Sequence, residues 1–174
     1  MKKTLALLTA LMMLALAPLS LAETVKLTEN ASGFDITVDL PAGATVSVQT
    51  NDDVPYTFVS FADETMPELY ISVAPTEEYE EQTLADLSDD ELDTLFAMLS
   101  ADLDDPSYTM VTTAGGYECM VVEDNSATDS AIIALLYDGY FIQISVWNVN
   151  YDTLTDDDMT VAETMIDSLK IVEI

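Results

Sequence analysis

The chain has 174 residues, 49% of them hydrophobic, which is the size of one ordinary domain. It carries 33 acids against 4 bases, for a net charge of −29, and it has no histidine. That excludes a histidine triad, general base or metal ligand, and it leaves no basic surface for nucleic acid. The single cysteine, Cys119, excludes an internal disulfide and an all-cysteine metal site.

Met1-Lys2-Lys3 is a short positive start, followed by the apolar run Thr4 to Leu21 with Pro18 near its end. Ser20-Leu21-Ala22 then places small residues at both recognition positions of a signal peptidase. The segment 1–22 reads as a secretory signal peptide cleaved after Ala22. An uncleaved anchor is the rival reading, but the run is short for a membrane span. With no Cys near the cleavage point, bacterial lipoprotein anchoring is not expected. Cleavage removes two of the four lysines and none of the acids. The expected product is residues 23–174, one domain, secreted or extracytoplasmic, with no further span and no cross-link.

Along that product the pattern predicts an α+β domain. A short strand is expected at Thr24–Leu27 and a clear one at Phe34–Leu40, where Phe34, Ile36, Val38 and Leu40 alternate with Asp35, Thr37 and Asp39. Pro41-Ala42-Gly43 ends it. Thr45–Gln49, Tyr56–Phe61 and Leu69–Val73 read as three more strands. A helical turn at Leu84 to Leu87 precedes the best helix, whose stripe is Leu92, Leu95, Phe96, Leu99 and Leu103. Ser88-Asp89-Asp90-Glu91 is its capping box and Pro106 its stop.

Strands then return. Tyr108–Thr113 and Tyr117–Glu123 flank Ala114-Gly115-Gly116, and Ala131–Tyr137 and Tyr140–Asn148 flank Asp138-Gly139, a two-residue type I′ loop. Ala131–Tyr137 is apolar on both faces, so it belongs in mid-sheet with cover on both sides. Thr155-Asp156-Asp157-Asp158 caps a last helix with Met159, Ala162, Ile166 and Leu169 as its buried stripe, and Lys170 near its end suits the dipole. Ile171–Ile174 adds a final strand. Tight hairpins dominate, so the sheet is expected to be largely antiparallel.

Three stretches carry a resemblance. Gly33-Phe34-Asp35-Ile36-Thr37-Val38-Asp39-Leu40-Pro41-Ala42-Gly43 is similar to the opening strand of the PsbP-like fold family. The hairpins around Gly115-Gly116 and Asp138-Gly139 match its later hairpins, and Met165-Ile166-Asp167-Ser168-Leu169-Lys170-Ile171 looks like its terminal helix. The likeness covers residues 33–174; one departure is Ala44, where many members carry Trp. The resemblance implies an α/β/α sandwich with two main helices and a binding or accessory role. It brings no common catalytic centre to carry over.

Carboxylates are the abundant reactive groups. The dense runs are Glu77-Glu78-Tyr79-Glu80-Glu81, Ser88–Asp93, Asp102-Leu103-Asp104-Asp105 and Asp156–Asp158. Oxygen clusters suit Ca²⁺, and if one run holds it, Asp102, Asp104 and Asp105 are the residues expected to do so. The EF-hand pattern fails there, since Ser107 stands where Gly is needed and Thr113 where Glu is needed. The runs at helix starts are explained by the dipole without any metal. Cys119 reads as a buried structural thiol, because no histidine activates it and acids surround it. Phe141, Gln143 and Trp147 share one strand face and form a candidate ligand surface; the competing reading, which we favour, packs the aromatics beneath a helix.

The expected function is an exported, non-catalytic acidic module of the bacterial envelope or exterior, engaging a basic protein, a cationic envelope component or divalent cations. No cofactor is expected apart from Ca²⁺. A small carboxylate-dependent hydrolase is one alternative and a dedicated calcium protein another.

Overall fold

The computed structural model describes residues 23–27, 34–51, 54–63, 65–77, 79–80, 82–126, 130–150 and 153–173; the expected leader, 1–22, lies outside the described residues. The strands are β1 (Glu23–Lys26), β2 (Phe34–Leu40), β3 (Ala44–Asn51), β4 (Val54–Phe61) and β5 (Glu68–Pro75), then a 3-10 turn (Leu84–Asp86) and helix α1 (Asp89–Leu99). After these come β6 (Pro106–Thr112), β7 (Glu118–Asp124), β8 (Ser130–Tyr137), β9 (Tyr140–Trp147), helix α2 (Asp156–Ser168) and β10 (Lys170–Glu173). This is the predicted order. All the strand pairings are antiparallel.

The strands divide into two sheets. Seven form the main sheet in the order β3-β4-β5-β9-β8-β7-β6, and three form a small sheet in the order β1-β2-β10. The sequence pattern suggested a single sheet. The chain leaves β2 through Pro41-Ala42-Gly43, with Gly43 at φ +91°, and enters the other sheet. β2 is buried on alternate residues, as predicted, but its partners are the two chain-distant strands β1 and β10.

Each face of the main sheet has its own core. On one side Ile133, Leu135, Ile142, Ile144 and Val146 pack with Phe34, Ile36, Val38 and Leu40 of β2 and with the buried side of α2. On the other, Met120, Val122, Ala134 and Leu136 pack under Leu84, Leu87, Leu95 and Leu99 of the 3-10 turn and α1. β8 contributes to both, which is why it is apolar on both faces. The Asp138-Gly139 loop has φ +47° and +73°, the two positive values a type I′ turn requires.

Four local expectations are corrected. α1 ends at Leu99, where the Ser100 hydroxyl donates to the Phe96 carbonyl at 2.7 Å, so Leu103 reaches the same core from the following turn. Pro106 opens β6, an edge strand, where a missing N–H is tolerated. The buried stripe of α2 is Asp158, Val161, Ala162, Met165 and Ile166, continued by Leu169, whereas Met159 is only half-buried. The i, i+3, i+4, i+7 period survives, but it starts on an acid that the sequence pattern places outside. Lys170 is an exposed residue of β10 rather than part of the helix.

The β6–β7 turn is locked against the end of α2. A Cβ on Gly115 would lie 2.7 Å from the Tyr117 ring and 2.8 Å from the Leu169 carbonyl oxygen, so only glycine fits. The Tyr117 hydroxyl bridges onward, donating to the Ile171 carbonyl at 3.4 Å and accepting from the Ile171 amide at 3.3 Å.

Candidate functional site

Asp102, Asp104 and Asp105 are exposed in the turn between α1 and β6. The structure organises this turn by its backbone. The Asp104 and Asp105 amides donate to the carboxylate of Asp124, at 3.0 and 3.2 Å. The Ser126 amide and hydroxyl donate to the same carboxylate, each at 2.8 Å. Asn125 adds a bond from its side-chain amide to the Asp105 carbonyl at 3.0 Å. The charge that matters locally is therefore Asp124, at the end of β7, which holds two turns together. Sequence reasoning missed it, although Asp124-x-Ser126 carries the signature of an Asx turn.

Hydrogen bonds from the Ser126 amide, the Asp104 amide and the Ser126 hydroxyl hold the Asp124 carboxyl down at about 2. A depressed folded-state pKa contributes stability that is present above the unfolded value near 3.8 and is lost as pH falls through about 2. Asp124→Asn is thus expected to melt below the wild type at pH 6 and to converge with it near pH 2. Melting curves across that range check this, and a constant gap would contradict it.

Among the described residues no three carboxylate or thiol groups come together as a metal site. Asp89, Asp90 and Glu91 sit at the start of α1, and Asp156, Asp157 and Asp158 at the start of α2. Glu91 accepts from the Ser88 amide at 2.8 Å and its hydroxyl at 2.6 Å, and Asp158 accepts from the Thr155 amide at 2.8 Å. The predicted capping box at Ser88 is present, and the predicted cap at Thr155 is a capping box as well. One ion pair forms among the described residues, Lys26 with Asp35 at 2.6 Å. Cys119 is fully buried in the core beneath β2, and burial, with Glu118 adding to it, pushes its thiol up to about 12. It is not poised for nucleophilic or redox chemistry.

An open cleft of about 790 Å³ lies between the start of α2, the β4–β5 turn and the β2–β3 turn. Among the described residues, Asp63 and Asp157 are the acids that line it. The Thr65 hydroxyl and amide donate to Asp63 at 2.7 and 3.0 Å and hold its carboxyl below the ordinary range. A hydrolase acid needs the opposite displacement.

The predicted ligand face on β9 is divided by the fold. Phe141 packs against the α1 core and lines a small pocket with Tyr79, Leu95 and Met98. Gln143 donates to the Ser145 hydroxyl at 3.2 Å beside it. Trp147, at the far end of the strand, belongs to neither core and stands opposite Glu68 of β5. The face continues from there over β5 and β4, where Tyr70 lies 5.1 Å from Phe58 and 5.8 Å from Tyr56, ring centre to ring centre. The Tyr70 hydroxyl donates to Glu68 at 2.8 Å, and the Tyr56 hydroxyl donates to Gln49 at 2.8 Å. This aromatic group was not legible in the sequence, because β4 is apolar in both phases and period two alone does not say which phase faces the core.

No protein-family model matches the sequence, and no curated protein does. Solved structures do match. One is the crystal structure of LpqN, involved in cell envelope biogenesis of Mycobacterium tuberculosis, with a TM-score of 0.50 and 14% identity over 86% of this chain and 91% of that one. Another is the solution structure of cyanobacterial PsbP (CyanoP) from Synechocystis sp., with a TM-score of 0.51 and 15% identity over 89% of this chain and 96% of that one. The chain has the PsbP-like α+β fold. At these identities the likeness is one of fold. Among the described residues no helix is long and apolar enough to cross a membrane.

Proposed function

We propose that this chain is an exported, non-catalytic accessory module of the bacterial envelope or exterior whose acidic surface engages a cationic partner. The observation that carries the reading is the dispersal of the acids. There are 33 of them against 4 bases, yet among the described residues no three converge on one point. Those of the α1 start and the Asp102–Asp105 turn point outward on separate elements. Dispersed like charge does not build an ion cage. It does create a long-range field that steers and retains a partner of opposite sign. The likeness to a protein of cell envelope biogenesis supports the compartment.

The test is binding of a fluorescent oligolysine peptide to the full chain, followed by anisotropy at rising NaCl. Tight binding at low salt that weakens steeply near ~0.15 M is expected, because exposed charges are screened beyond about 8 Å there. An absence of binding at low salt would overturn the reading. A parallel melting series in CaCl₂, MgCl₂ and NaCl at matched ionic strength is expected to show similar stabilisation by all three. A saturable excess in CaCl₂ would replace a diffuse field by a dedicated calcium site.

A further inference from the structure

We propose that the partner's cationic segment docks on the half of the main sheet's α1-side face that no described helix covers, over Tyr56, Phe58, Tyr70 and Trp147, with Glu68 as its counter-charge. This rests on the reading of an acidic module for a cationic partner, and it says where that partner sits.

The strand register defines the face. Phe58 pairs with Tyr70, Tyr70 with Ser145, and Glu68 with Trp147, so these side chains project to one side. Met120, Val122, Ala134 and Leu136 project to that same side, and α1 covers them. The α1 core reaches across the sheet as far as Phe141. Beyond it, Tyr56, Phe58, Tyr70 and Trp147 are half-buried and belong to neither core. Tyr56 and Phe58 pack on Tyr70, as the ring distances show.

Charge is distributed around this patch in an unusual way for so acidic a chain. β3 and β4, from Ala44 to Asn51 and from Val54 to Phe61, hold no charged residue. A charge-depleted aromatic centre inside a charged surround has the composition of a protein interface. Glu68 is the exception, and its placement selects the ligand. Its carboxylate accepts from the Tyr70 hydroxyl and stands opposite Trp147 in the β5–β9 ladder. A carboxylate bonded to one aromatic side chain and in register with another offers a cation both a counter-charge and ring faces. With 4 lysines in the whole chain against 33 acids, the matching cation comes from another molecule. The occupant is therefore a segment carrying Arg or Lys, with guanidinium suited best to stacking on the rings.

Trp147 is the one tryptophan of the chain, so its fluorescence reports on this face directly. The full chain is titrated with a short Arg- and Lys-rich peptide. A saturable change in Trp147 emission is expected. Glu68→Gln should weaken binding by about tenfold, and Tyr70→Ala by about fivefold. Tyr70→Phe, which keeps the ring, should retain binding and guards against a folding defect in the alanine variant. Glu163→Gln removes the same charge from the exposed side of α2 and should leave affinity within about twofold, as for a screened distant charge. If Glu68→Gln and Glu163→Gln weaken binding equally and Trp147 is silent, the peptide binds through the diffuse field; this inference then fails while the acidic-module reading stands. No binding of the peptide at all overturns both. A Trp147 response to a neutral oligosaccharide and none to the peptide would make the face a glycan platform and also overturn the inference.

Discussion

Ile144→Ala is expected to destabilise the fold by about 3 kcal/mol, since removing an aliphatic side chain from a packed interior costs roughly 2–5 kcal/mol. For a domain of this size that lowers the melting midpoint by about 6–12 °C. Ile144 is fully buried at the middle of β9, the central strand of the seven. Its cross-strand neighbours are Ile71 on one side and Ile133 on the other, both buried, and the core beneath β2 and α2 closes over all three. Main-sheet strands hydrogen-bond on both edges of β9, so the backbone has little freedom to move into the void. Ile144→Val should cost only about 1 kcal/mol. Urea denaturation of the three proteins checks the series. A loss under about 1 kcal/mol for the alanine variant would mean that the sheet collapses onto the gap, contrary to the packing described.

Asp158→Ala is expected to cost about as much, for a different reason. Asp158 is completely buried at the first turn of α2. One carboxylate oxygen accepts from the Thr155 amide at 2.8 Å, the Thr155 hydroxyl at 3.0 Å and the Asn148 side-chain amide at 3.1 Å. Alanine removes half of the capping box, worth about 1 kcal/mol. It also strands the Asn148 amide, itself buried, at a further penalty of about 1–3 kcal/mol. The second oxygen, Oδ1, has no hydrogen-bond partner among the described residues. Asp158→Asn keeps one acceptor for the Thr155 and Asn148 donors and removes a buried charge, so it should be much milder than alanine. Equal losses for the two variants, measured by the same denaturation series, would show that the anion itself is needed.

The two residues also mark how far local pattern carries. Ile144 was placed correctly from alternation with Gln143 and Ser145, because a strand with one apolar phase declares its core face. Asp158 reads from the sequence only as a helix-start acid like its neighbours Asp156 and Asp157, which are exposed. The burial of Asp158 depends on Asn148, ten residues earlier at the end of β9, coming to lie against α2. A cap is a local signal, whereas a cap that doubles as a core contact is not. The same division runs through the candidate sites. Phe141 sits beneath α1 as the simpler reading had it, while Trp147 in the same phase of the same strand lies past the reach of that helix. The Asp102–Asp105 turn is organised by Asp124, whose role depends on β7 ending beside that turn.

By itself the sequence determined the element order, the antiparallel character, the capping box at Ser88, the cap at Thr155 and the type I′ loop at Asp138-Gly139. It also determined that the chain is acidic and lacks histidine. All of these follow from residue spacing over one or two turns, or from composition. Tertiary structure alone decided that β2 leaves its chain neighbour β3 for a sheet with β1 and β10, and that α1 covers one half of a sheet face and stops short of Tyr56, Phe58 and Tyr70. Strand partners and helix cover are set by contacts between segments far apart in the chain. A period of two or 3.6 names a buried phase but says nothing of what buries it.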